Sequence, residues 1–89
     1  MTTLFVRHQA ADYTAWRQAY DAFQPKARTL GVQADTVYQA ADNPNEITVT
    51  HDFATLEAAQ AFAGSPELRS AMHDAGVVGA PTIWFANRA

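Results

Sequence analysis

The sequence predicts one α+β domain of the split βαβ kind across residues 1–89, and three observations carry that prediction. Apolar and polar residues alternate with period two at Thr3–His8, Glu46–Phe53 and Thr82–Asn87. Between the first two of these segments lies an aromatic stripe, Tyr13, Trp16, Tyr20 and Phe23, at helical spacings of three and four. A turn cluster, Asp42-Asn43-Pro44-Asn45, then joins two extended stretches closely enough to make them an antiparallel hairpin.

The elements follow in order. Thr3–His8 is the first strand, with Leu4, Val6 and His8 on one side and Phe5 and Arg7 on the other. Asp12 sits where an N-cap belongs, and the stripe of the first helix continues through Ala27 and Leu30 to a C-terminal Gly31. Pro25 falls inside that helix and is expected to kink or split it near Phe23. Val32–Ala41 reads as the second strand and Glu46–Phe53 as the third, in which Ile47, Val49, His51 and Phe53 alternate with Thr48, Thr50 and Asp52. Thr55 can cap a short helix carrying Leu56, Ala59 and Phe62, ended by Gly64. Ser65-Pro66-Glu67 opens another: a capping hydroxyl, proline at the first helical position and an acid in the first turn. Leu68, Ala71, Met72 and Ala75 form its buried side and Gly76 stops it. Val77–Pro81 reads as a loop and Thr82–Asn87 as the last strand, with Ile83 and Phe85 opposite Trp84.

The order β, α, β, β, α, β is that of a ferredoxin-like domain, with sheet order 4-1-3-2 and all helices on one face. Leu4, Val6, Ile47, Val49, Ile83 and Phe85 supply the apolar face the helices need. The other face is expected to carry Phe5, Val37, Thr48, Thr50 and Trp84. Lysine and glutamate would suit water there; two aromatics and threonines suit a partner sheet. A homodimer through Phe5 and Trp84 is therefore expected, and the chain's size agrees. A domain of 89 residues buries too little surface to be more than marginally stable alone, and without cysteine it has no disulfide to help.

Composition excludes several classes. The net charge is −3 and the basic residues are scattered, so there is no footprint for nucleic acid or an anionic membrane. Thiolate metal sites are ruled out by the lack of cysteine. No apolar run could span a bilayer and Met1–His8 has no signal-peptide character, so the expected location is the cytoplasm. Asp35, Asp42, Glu46 and Asp52 show no paired-carboxylate spacing. Gly76 and Gly79 lack the lysine and hydroxyl of a phosphate loop, and no serine-centred nucleophile elbow exists. No cofactor or metal is called for.

Several segments together resemble a known group. They are Phe5-Val6-Arg7-His8, Asp12-Tyr13-x-x-Trp16-Arg17, Asp42-Asn43-Pro44-Asn45-Glu46, Ser65-Pro66-Glu67-Leu68 and Gly79-x-Pro81-x-x-Trp84. The chain resembles, over nearly its whole length, small bacterial dimeric α+β barrel proteins, often labelled cyclase or antibiotic-biosynthesis-monooxygenase-like. The resemblance implies two four-stranded sheets packed face to face. The class it implies holds cofactor-free monooxygenases of aromatic polyketides, haem-degrading enzymes, isomerases, dehydratases and proteins of no known activity. The haem-degrading branch uses an Asn/Trp/His arrangement with Asn on the first strand. Here that strand offers Arg7 and His8, so the arrangement is not reproduced.

Topology filters the candidate residues. The end of strand one, the start of helix one, the end of the last helix and the start of the last strand share one end of the sheet. His8, Asp12, Tyr13, Trp16, His73, Asp74 and the Gly76–Pro81 segment are expected around one mouth there, where aromatic walls and a few polar groups suit a small molecule. His8 is the candidate catalytic base, against a structural histidine bonded to Tyr13 or a carbonyl. Tyr13, Trp16 and His73 are the candidate substrate-binding residues, although an aromatic stripe also serves as core and His73 lies off the apolar face of its helix. His51 pairs opposite the beginning of strand one. At about 3.4 Å per residue it stands more than about 10 Å from His8, which disfavours a two-histidine metal site. It is expected to bond near the start of the short helix. Three functions compete: a cofactor-free cyclase or monooxygenase acting on an aromatic or polyketide-like molecule, a non-catalytic dimeric module binding a small aromatic ligand, and a haem-handling protein.

Overall fold

The structure, a computed structural model, describes residues 1–89. Strand β1 spans Thr2–Ala10 and alternates strictly, burying Thr2, Leu4, Val6, His8 and Ala10. Helix α1 spans Tyr13–Thr29. Its cap is the expected one: the Asp12 carboxylate accepts from the Ala15 N–H at 3.0 Å, satisfying a donor that the helix itself leaves unpaired. The helix runs through Pro25 to Thr29 as one element and does not split near Phe23. It ends with the Leu30 N–H on the Lys26 and Ala27 carbonyls, and Gly31 then turns the chain at φ +105°, a conformation that favours glycine.

Strand β2, Ala34–Ala40, and strand β3, Asn43–Phe53, form the hairpin, with a tighter connection than the turn cluster predicts. Ala41 and Asp42 alone make the turn, while Asn43-Pro44-Asn45 already belong to β3. The strand accommodates proline by a bulge: register passes from Gln39↔Ile47 to Ala40↔Asn43. The bulge also has a structural use. Asn45 Oδ1 accepts from the Tyr13 N–H at 2.9 Å, tying the hairpin to the first turn of α1.

Helix α2 spans Leu56–Ala63 and helix α3 spans Pro66–Asp74, capped by the hydroxyls of Thr55 and Ser65 as expected. Strand β4 spans Val77–Asn87, so the segment read as a loop is the first half of a strand. Ala10 pairs with Val77 and Gln9 with Val78; beyond Gln9 the register jumps to Arg7↔Thr82. Gly79 at φ +73° and Pro81, which has no N–H to donate, lie in this irregular stretch opposite His8.

The sheet order is β2-β3-β1-β4, every neighbouring pair antiparallel, as the split βαβ reading requires. One side of the sheet meets the helices in two apolar clusters. The first gathers Leu4, Val6, Phe53 and Phe62; the second gathers Trp16, Tyr20, Ile47 and Val49. Val37 pairs with Val49 and packs on this second cluster, so it faces the helices and not the open side as expected. Tyr38, paired with Thr48, takes the outward place. No helix is long and apolar enough to cross a membrane.

Candidate functional site

A cavity lies where the two clusters meet, between the sheet and helices α1 and α3. His8, Val49 and His51 line it from the sheet, Trp16 and Tyr20 from α1, and Met72 from α3. Its free volume is about 40 Å³, room for a few water molecules.

His8 reaches this wall because strand alternation gives it the same side as Leu4 and Val6. It is only 6% exposed, and neither Nδ1 nor Nε2 has a hydrogen-bond partner in the protein. The bond to Tyr13 or to a carbonyl that a structural role requires is therefore absent. Burial lowers its pKa from the ordinary 6.5, with Glu46 pulling weakly the other way. His8 is thus a neutral imidazole at pH 7, with one acceptor nitrogen free.

The Trp16 ring lies 5.6 Å from that of His8 and stacks on Tyr20 at 4.8 Å with a 14° tilt. Tyr13 stacks on the opposite end of this aromatic row, 5.9 Å from Trp16, and does not itself line the cavity. Ala11 N–H donates to the Gly76 carbonyl at 3.0 Å and Ala10 pairs with Val77, so the end of β1 and the start of β4 meet at one mouth, as expected. His73 is separated from it. That side chain is exposed and lines a different groove, with Met72, Pro81 and Ile83, on the β4 side of α3.

Sequence reasoning left His51 out of the site, yet it lines the same cavity as His8. The separation along the strands is as expected, since Leu4 pairs with His51 and His8 with Ile47. The cavity simply extends far enough to reach both. His51 does not bond the start of α2; it packs on Phe62 near that helix's end, with ring centroids 5.2 Å apart. Its Nε2 lies 3.5 Å from the Tyr20 hydroxyl, which donates to Asp35 Oδ2 at 2.5 Å. Arg28 holds the other carboxylate oxygen at 3.1 Å. Burial and the Asp35 bond push the Tyr20 phenol above its ordinary range, and burial pulls His51 down to about 4. His51 shares the parity of Val49 and Phe53 in the sequence, but its link to Asp35 depends on the β2–β3 register and the facing of α1. The protein's histidines, aspartates and glutamates form no group of three or more placed to hold a metal ion.

No protein-family model matches the sequence, and no curated protein matches it either. Solved structures do match the fold. The crystal structure of an antibiotic biosynthesis monooxygenase aligns over 100% of this chain and 99% of its own, with a TM-score of 0.77 at 10% identity. SnoaB from Streptomyces nogalater, a cofactor-independent oxygenase, aligns over 99% of this chain and 92% of its own, with a TM-score of 0.79 at 11% identity. NE2512 from Nitrosomonas europaea, a protein of unknown function, aligns over 96% and 85% with a TM-score of 0.74 at 22% identity. Identities this low speak for architecture alone. By architecture this chain is an α+β protein with the fold of the antibiotic biosynthesis monooxygenase structures.

Proposed function

We propose that the protein is a cofactor-free, monooxygenase-like enzyme acting on a small aromatic or polyketide-like molecule, with His8 as its base. One observation carries this reading: a buried, neutral imidazole with no partner on either nitrogen stands on the wall of an apolar cavity. His8 removes a proton from a phenol or from a carbon flanked by aromatic rings. The anion is electron-rich enough to reduce O2 directly. A CH2 group and O2 then give C=O and H2O, the two C–H bonds supplying the electrons. Trp16 provides the apolar wall, with Tyr13 stacked behind it. A substrate ring needs more room than about 40 Å³, so it displaces Met72 and Phe23, the large half-buried side chains of the cavity lining. SnoaB, which shares the fold, supports the oxygenase reading.

The test is oxygen uptake with anthrone-like substrates. His8→Gln keeps the side-chain volume and removes the base, and the expected loss is about 100-fold or more. A His8→Gln protein that turns over at the wild-type rate overturns the assignment. A second reading, a ligand-binding module without turnover, uses the same apolar walls and needs no base. Ring binding without oxygen uptake would establish it.

A further inference from the structure

We propose that His51 is a second hydrogen-bond acceptor of the cavity, held in that role by Tyr20 and Asp35, so that the site selects small aromatic ligands carrying a donor at each end. The inference rests on the cavity reading above and adds to it a residue and a ligand chemistry.

The argument begins with the Tyr20 proton. A phenol has one O–H, and Tyr20 gives it to Asp35, whose other oxygen is bound by Arg28. The phenolic oxygen facing His51 can then only accept. His51 Nε2 must carry the proton on that side, and Nδ1 is left as a bare acceptor. That Nδ1 is buried and unpartnered in a residue only 4% exposed. A buried acceptor without a donor destabilises the fold, and phenylalanine at this place would carry no such penalty. The hydrogen-bonded chain therefore orients a group that the protein's own interior does not use.

The geometry defines what would use it. His8 and His51 stand at opposite ends of the stacked Trp16–Tyr20 pair: ring separations run 5.6 Å from His8 to Trp16, 4.8 Å to Tyr20 and 6.1 Å to His51. Their backbones are four register positions apart, about 13 Å along the strands. One benzene ring with a donor at each end, plus two hydrogen bonds of about 2.8 Å, spans roughly 11–12 Å. Such a ligand can donate to His8 at one end and to His51 Nδ1 at the other, lying along the aromatic row.

Two stable probes test this: 4-hydroxybenzyl alcohol, with a donor at each end, and p-cresol, with one. NMR titration should show wild-type protein binding the two-donor probe about tenfold more tightly, the equivalent of one hydrogen bond. His51→Phe should abolish that preference and leave p-cresol affinity within about twofold. Equal affinities in the wild type overturn the His51 proposal and leave the cavity reading standing. If neither probe binds the wild type, the cavity reading falls as well. The 15N shifts of the His51 ring in wild-type protein provide a test without any variant: a protonated Nε2 and bare Nδ1 support the proposal, and the opposite tautomer overturns it.

Discussion

Phe5 and Trp84, directly paired across β1 and β4, stack face to face on the helix-free side of the sheet, 5.1 Å apart and 4° from parallel. Trp84 is 42% exposed and Tyr38 on the far strand 56% exposed, with Thr48 and Thr50 of β3 and Arg7 of β1 between them. We propose that a second copy of the chain covers this face. Sedimentation should then give twice the 9.7 kDa monomer mass at micromolar concentration. Trp84→Ala should weaken association by about 2 kcal/mol, as expected for a central aromatic anchor. A wild-type monomer at that concentration would remove the barrel.

The positive-φ glycine of β4 predicts a contrast in stability. A Cβ at Gly79 meets nothing within 4 Å, so Gly79→Ala tests backbone conformation alone, at φ +73°. The expected cost is about 1 kcal/mol. Gly64 closes α2 at φ −93°, which alanine adopts freely, and its Cβ would make only ordinary contact with the Gln60 carbonyl. Gly64→Ala should be neutral or stabilising by about 0.5 kcal/mol in urea unfolding. Equal effects at the two sites would contradict the strand geometry.

These glycines also show where the sequence was legible. The caps at Asp12, Thr55 and Ser65 and the alternation of β1 are legible because each depends on neighbours a few residues away, and the pairing order is legible because the succession β, α, β, β, α, β admits few topologies. The first half of β4 could not. Gly79 and Pro81 are loop residues by propensity, and only pairing with Gln9 and Ala10 makes strand of their surroundings. Val37 differs from the sequence expectation for a related reason: the parity of β2 is set by its register with Val49, not by its own mixed pattern. His8 and Trp16 were legible as neighbours on adjoining elements. The His51–Tyr20–Asp35 link joins three elements and becomes visible only when all three are in place.

Burial of His51 predicts an acid-sensitive fold. Its pKa is about 4 in the folded protein, against an ordinary 6.5. Above pH 6.5 both folded and unfolded chains hold it neutral and it adds no pH dependence. As pH falls from 6.5 toward 4, the unfolded chain binds a proton that the folded chain refuses, so stability is lost across that window. The full loss is about 3 kcal/mol. Urea midpoints between pH 7.5 and 4.5 should fall in the wild type and fall less steeply in His51→Phe, which has no proton to take up. Parallel slopes would show that His51 is not buried as a neutral base.

The base assignment makes the remaining prediction. Desolvation disfavours the His8 imidazolium, while Glu46 on the neighbouring strand favours it. Glu46 is partly neutralised by Arg7, whose Nε lies 3.0 Å from its carboxylate. The ring should therefore titrate below 6.5, leaving it able to accept a proton at pH 7. Glu46→Gln removes the favourable charge and leaves the Arg7 cation without its partner. Both changes disfavour the imidazolium, so the His8 midpoint should fall further. NMR of the His8 ring in the two proteins measures this directly. A wild-type midpoint well above 7 would make His8 a cation at neutral pH, fit to donate a proton but not to take one, and the oxygenase chemistry would have no base. A midpoint that Glu46→Gln leaves unmoved would mean that the carboxylate and the imidazole do not share the field that their strands bring together.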